Sequence, residues 1–103
     1  MVAVSDDDAE AVIQMCVDVQ KYSPDNGAVS WWDDEAICRA EVERSPASVV
    51  ISGNRRGLIS LARHLLTLAQ EDVPGGNHLD FDEYCGFLDE GSLALRFEVD
   101  RSG

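Results

Sequence analysis

A chain of 103 residues with 45% hydrophobic and 27% charged side chains has the make-up of a folded domain able to bury a modest core. Its net charge of −12 disfavours direct binding to nucleic acid phosphates or to anionic membrane headgroups, and suits a basic partner protein. The plainer alternative is that the acidity serves only solubility.

Cys16, Cys38 and Cys85 are odd in number and widely spaced, which fits neither a disulfide framework nor a zinc module. Met1 to Glu10 carries Asp6, Asp7 and Asp8 without Lys or Arg, the reverse of a secretory leader. No apolar run approaches the ~20 residues of a membrane span. The chain therefore reads as one cytoplasmic domain, 1–103, in which residues 1–10 are an acidic start.

In chain order, Ile13, Met15, Val17 and Val19 alternate with Gln14, Cys16, Asp18 and Gln20, which predicts a half-buried strand over Val12 to Lys21. A helix competes there, since Ser5 and Asp8 resemble a capping box and Ala9, Val12, Ile13 and Cys16 share a helical face; the β-branched content favours the strand. Ser23-Pro24-Asp25-Asn26-Gly27 is a strong turn signal. A returning strand is expected at Ala28 to Trp32, then a turn at Asp33-Asp34.

From Ala36 the alternation resumes, with Ala36, Cys38, Ala40 and Val42 on one side and Ile37, Arg39, Glu41 and Glu43 on the other. Ser45-Pro46 breaks it, and Val49, Val50 and Ile51 form a fourth strand. Short turns make the four an antiparallel meander.

A helix follows, with Asn54 as its N-cap, over Gly57 to Glu71. Leu58, Leu61, Leu65 and Leu68 recur at helical spacing, with Ile59, Ala62, Leu66 and Ala69 widening the stripe. This side is expected on the sheet, leaving Arg56, Ser60, Arg63, His64, Thr67 and Gln70 to solvent. Pro74-Gly75-Gly76 ends the helix. His78 to Asp82, with Leu79 and Phe81 inward, and Ser92 to Val99, with Leu93, Leu95, Phe97 and Val99 inward, read as two more strands. The fold class is α+β: one antiparallel sheet in ββββ-α-ββ order with one long helix packed on one face.

His78, Asp80 and Asp82 alternate, so a strand aims all three at one face, where they could reach a metal ion or do acid–base work. The alternative is a solvated strand face. Nothing around Cys85 lowers a thiol pKa, and Cys16 and Cys38 read as packing residues within strands. Two Arg and two Gly at the helix start, in Ser52 to Gly57, can hold an anion or pair with acidic neighbours, and the pairing is favoured. Trp31 and Trp32 are adjacent, so in a strand one faces inward and the other outward, either as a binding anchor or packed under a neighbouring loop.

The string Val49-Val50-Ile51-Ser52-Gly53-Asn54, followed by Gly57-Leu58, Leu61-Ala62, Leu65-Leu66 and Leu68-Ala69, resembles immunity-protein family thirty-two of bacterial polymorphic toxin systems. His78-Leu79-Asp80 and Gly91-Ser92 with the strand after it add to the resemblance, which spans Ser48 to Val99. It implies an α+β fold and a non-enzymatic protein that binds and neutralises a cognate toxin domain. No catalytic residue, metal or cofactor comes with it.

Combined with the charge, the resemblance points to a basic toxin as partner, with no nucleic acid or membrane role. Trp31, Trp32, His78, Asp80, Asp82, Glu83, Asp89 and Glu90 are the partner-binding candidates. The competing functions are a small metal-dependent hydrolase using His78, Asp80 and Asp82, and a regulatory homodimer formed through a sheet edge.

Overall fold

The computed structural model describes residues 11–45 and 47–100. The acidic start lies outside them, as does Pro46 of the expected strand break. Among the described residues the order is β1 (Cys38–Arg44), β2 (Ala47–Gly53), α1 (Arg55–Leu68), β3 (His78–Phe81) and β4 (Leu95–Glu98). The α+β class agrees with the sequence, but the ββββ-α-ββ order and the single sheet do not. Two separate two-stranded antiparallel sheets, β1–β2 and β3–β4, take its place.

The β1–β2 hairpin forms where alternation is strictest, in a register that sets Arg39 opposite Ser52, Ala40 opposite Ile51 and Val42 opposite Val49. Cys38 and Ala40 are fully buried, whereas Val42 is 54% exposed because the hairpin runs out past the core. The other edge of β1 meets the chain just before β4. Cys38 donates to the Phe87 carbonyl at 2.8 Å, and Asp89 and Leu93 donate to the Cys38 and Ala40 carbonyls at 2.8 Å. That pairing takes Ser92 and Leu93 from the strand expected over Ser92 to Val99, so β4 is only four residues long.

The β2–α1 junction rests on Asn54. Its Oδ1 accepts from Gly57 N at 2.8 Å, as an N-cap does, and from Ile37 N at 3.1 Å. Its Nδ2 donates to the Glu35 carbonyl at 2.8 Å, holding a turn in which Glu35 has a positive φ of 65°. Its backbone N–H donates to the Ile37 carbonyl. One side chain thus caps the helix and fixes the entry to β1. The helix consequently starts two residues before the expected Gly57, and it ends at Leu68 rather than Glu71.

The helix turns the opposite way from the expected one. Ser60, Arg63, His64 and Thr67 are buried, while Leu58, Leu65 and Leu66 are about half exposed. Only Leu61 and Leu68 of the expected stripe reach the core, so Leu65 contributes less burial than a core leucine would.

The physical reason lies in the strands that do not form. Residues 12–21 and 28–32 belong to no strand and, apart from the Ser23–Gly27 bridge that closes the expected turn, have no ladder near them among the described residues. Their backbone groups need partners, and the polar side of α1 supplies them. Arg63 Nε donates to the Asp18 carbonyl at 2.9 Å, and Gln70 brackets Gln20 O and Tyr22 N at 3.0 and 2.9 Å. Farther along, His64 Nε2 accepts from Trp31 N at 2.9 Å and Ser60 Oγ from Asp33 N at 3.0 Å. Val12, Ile13, Met15 and Cys16 are left exposed, so Cys16 is not the packing residue expected of it.

The core sits between α1 and β3–β4, where Leu61, Leu68, Val73, Leu79, Phe81 and Leu88 meet Cys38. His64 is fully buried among aromatic rings, 4.7 Å from both Trp32 and Phe81. Because Nε2 accepts, the neutral ring carries its proton on Nδ1, which has no full hydrogen bond. Burial holds the His64 pKa below its usual value; the Ser60 carbonyl opposes this and the Arg63 charge reinforces it.

The linkage sign follows from that depression. The unfolded ring protonates near pH ~6.5 and the folded one only at lower pH, so the unfolded state binds more protons in between. Stability is full above about pH 6.5 and falls as pH drops toward the folded value. Melting temperature should therefore decline as pH falls below about 6.5. His64→Gln keeps an acceptor for Trp31 N and should flatten that decline; an equal slope in both proteins would exclude His64 as its source.

Candidate functional site

Between β3 and β4 the chain makes a braced acidic loop, residues 82–91. Asp82 Oδ1 accepts from Tyr84 N at 2.9 Å, closing a tight turn at its start. Glu83 Oε2 accepts from Gly91 N at 3.1 Å and ties the two ends together. Gly86 and Gly91, at φ +93° and +84°, bend the backbone in ways an L side chain resists. Below, Phe87 stacks on Trp32 at 5.1 Å and 12°, and Leu88 enters the core. The loop is thus anchored inside and presented outside.

Its tip is Tyr84, 86% exposed, the most exposed large hydrophobic side chain among the described residues. Tyr84, Glu83 and Glu90 line a shallow recess of about 280 Å³, and Asp82 and Asp89 are also exposed on the loop. The sequence reading named Asp82, Glu83, Asp89 and Glu90 but passed over Tyr84. The signal was available: an aromatic among turn residues, Asp82-Glu83-Tyr84-Cys85-Gly86, belongs to no apolar period and so has no core-facing reason to be there.

The outer face of β3–β4 brings His78 and Asp80 together, with Nδ1 and Oδ2 2.7 Å apart. Asp80 Oδ1 also accepts from Arg96 Nε at 2.7 Å, across the Asp80–Arg96 register pair. The hydrogen bond from Arg96, more than any other cause, holds the Asp80 carboxyl below the usual carboxylate range. Asp80 is therefore a compensated charge. Asp82 joins neither His78 nor Asp80, since it turns back onto Tyr84. Among the described residues no three His, Cys, Asp or Glu side chains are grouped so as to hold a metal ion.

The tryptophan pair divides between the core and the surface. Trp32 is half-buried, with edge contacts to Phe81 besides its stack on Phe87. Trp31 is 43% exposed, and the Arg63 guanidinium lies 4.4 Å from its ring centre. Arg56 contacts the acidic turn through the Asp34 carbonyl at 3.3 Å, not through a carboxylate. Burial raises the Cys38 pKa, so its thiol stays protonated against the core.

Residues 48–100, just over half of the chain, match the family model of Immunity protein 32. The chain belongs to the Immunity protein 32 family. Neither the curated proteins nor the solved structures yield a match. The stretch shared with Immunity protein 32 runs from β2 through α1, β3 and the braced loop to β4. It includes the Gly53-Asn54 and Gly57 junction, whose work in this chain is structural. Immunity proteins are in general non-enzymatic and have a toxin as partner. No helix among the described residues is long and apolar enough to cross a membrane.

Proposed function

We propose that this Immunity protein 32 member neutralises a basic toxin domain by seating the acidic loop 82–91 on it, with Tyr84 as the anchor. The observation that carries the reading is Tyr84 itself, 86% exposed on a loop that its own hydrogen bonds hold in shape. A rigid aromatic presented in this way loses little freedom on docking. Asp82, Glu83, Asp89 and Glu90 surround it with charge of one sign, which speeds the approach of a basic surface and competes with an anionic substrate for it. Trp31 lies outside the family match and is a secondary candidate; Trp32 supports the loop from below through Phe87. His78 and Asp80 belong at the rim, because Arg96 already offsets the Asp80 charge.

The test measures binding to the cognate toxin domain and protection of cells from it. Tyr84→Ala should weaken binding by roughly thirtyfold, about 2 kcal/mol, while leaving the melting temperature close to wild type. The Glu83→Gln/Glu90→Gln pair should act mainly on association rate, and its effect should shrink as salt rises. Should both variants bind and protect cells like the wild type, the loop is not the toxin-binding face.

A further inference from the structure

The exposed side of α1 carries no charge, although the whole chain is strongly acidic. Between Gly57 and Gln70 the only residue charged at neutral pH is Arg63, which is buried. Leu58, Leu65 and Leu66 are 49%, 50% and 49% exposed, and Ala62 and Ala69 continue the same side at helical spacing. Beside the C-terminal half of the helix, Leu65, Leu68 and Ala69 face Phe97 and Val99 across a shallow recess of about 290 Å³, which Glu98 also lines. Single exposed leucines need no explanation, but a contiguous apolar helix side with a recess beside it marks an interaction surface.

We infer that the occupant is a second copy of this chain, its α1 packed antiparallel on the first about a two-fold axis at Ala62. A two-fold interface has to be complementary to itself. With Ala62 level with Ala62, Leu58 of each copy comes level with Leu66 of the other, and Leu65 with Ile59. The small residue at the axis lets the helices approach closely, and Leu58 of the second copy is carried to the recess between Leu65 and Phe97.

The charges at the two ends of this side favour a second copy over a toxin. Arg55 opens the helix, exposed and without an ion pair among the described residues. Seven residues at the helical rise put it about 10 Å from the axis, level with Ala69 of the other copy. There Glu98 lines the recess, held only loosely by Arg96 at 3.8 Å, and exposed Asp72 follows the helix end. Opposite charges therefore meet at both ends of the interface. A basic toxin would instead meet an uncharged side flanked by Arg55 and Arg56.

The dimer is independent of the toxin reading. The acidic loop rests through Phe87 on Trp32, and Trp32 on His64, on the opposite and polar side of α1. Pairing through Ala62 leaves both loops uncovered, so the dimer presents two toxin sites.

Sedimentation velocity on the full chain, from micromolar to near-millimolar concentration, should give twice the 11.3 kDa chain mass. Leu65→Glu puts a carboxylate into each half of the interface and should raise the dimer dissociation constant by roughly a hundredfold. Arg55→Glu should raise it by roughly tenfold, although an acidic residue in the first turn suits the helix dipole. Adding Glu98→Arg to Arg55→Glu restores both the charge pair and the wild-type net charge, and should bring the constant back to within about threefold of wild type. Circular dichroism and a cooperative melt check that each variant folds.

A second arm does not depend on Leu65→Glu folding. In a Cys16→Ser chain, Ala62→Cys sets two thiols at the axis. Helix axes about 8–10 Å apart bring facing Cα atoms to about 4–5.5 Å, a span that suits a disulfide. Oxidation by glutathione disulfide should yield a covalent dimer linked through position 62 in both copies. The proposal is overturned by a wild-type monomer at the highest concentration, including one in which Leu65→Glu instead abolishes toxin binding. It is equally overturned by a folded Leu65→Glu variant as dimeric as wild type, by an Arg55→Glu dimer that Glu98→Arg does not tighten, or by a dimer without the 62–62 link.

Discussion

Gly57→Ala is expected to destabilise the protein by about 3 kcal/mol, although the same change inside an ordinary helix stabilises it by about 1 kcal/mol. A Cβ at Gly57 would lie 2.2 Å from the Ile37 carbonyl oxygen and 2.8 Å from Cys38 Sγ. The first contact is backbone and cannot rotate away. Ile37 O is also the acceptor for Asn54 N, and Ile37 N donates to Asn54 Oδ1, so the obstructing carbonyl is held on both sides. Relief therefore requires the helix start to move off β1, with loss of the Asn54 contacts. Denaturant unfolding of the purified variant reads the sign directly. A variant as stable as wild type would mean that the helix start does not abut β1 so closely.

Arg63→Ala is expected to cost about 2–3 kcal/mol, because it removes a buried guanidinium that makes several charge-assisted hydrogen bonds. The Arg63 side chain is 8% exposed and that of its partner Asp33 30%, at a separation of 3.0 Å. The guanidinium also serves the Asp18 and Trp31 carbonyls, at 2.9 and 3.2 Å, and covers the Trp31 ring. Removing it takes the donor from two carbonyls and a partly exposed carboxylate together. Arg63→Lys should recover less than half of the loss, because a single ammonium cannot reproduce the planar fork. Chemical denaturation with near-ultraviolet circular dichroism would show both the loss of stability and the release of Trp31. A cost below about 1 kcal/mol would place Arg63 at the surface, where exposed ion pairs contribute that little.

Much of the local structure was legible in the residues. Alternation from Ala36 to Glu43 and the apolar run Val49 to Ile51 predict neighbouring strands, and β1 and β2 pair there as a ladder. Ser23 to Gly27 turns as its Pro and Asn-Gly dictate, with Gly27 at φ +66°. Asn54 caps the helix through its own side chain. Leu79 and Phe81 face inward as their period requires. Of the candidate site, the four loop carboxylates were found by composition and the His78–Asp80 pairing by spacing, whereas Tyr84 was passed over because periodicity rules look for apolar residues that repeat.

The same alternation over residues 12–21 forms no ladder, because a strand needs a neighbour and none is in register with it. Period-two patterning says that one side of a segment is apolar; it does not supply the partner edge. Likewise the sequence by itself determined that α1 has a leucine-rich side and a side of Ser60, Arg63, His64, Thr67 and Gln70. Which side turned inward was decided by the tertiary structure. Two segments without ladder partners left backbone groups at 18–22 and 31–33 to be satisfied, and the polar side of α1 pairs with them. A hydrogen bond of this kind contributes about 0.5–1.5 kcal/mol, and the several made by Ser60, Arg63, His64 and Gln70 together offset the burial forgone at the half-exposed Leu58, Leu65 and Leu66.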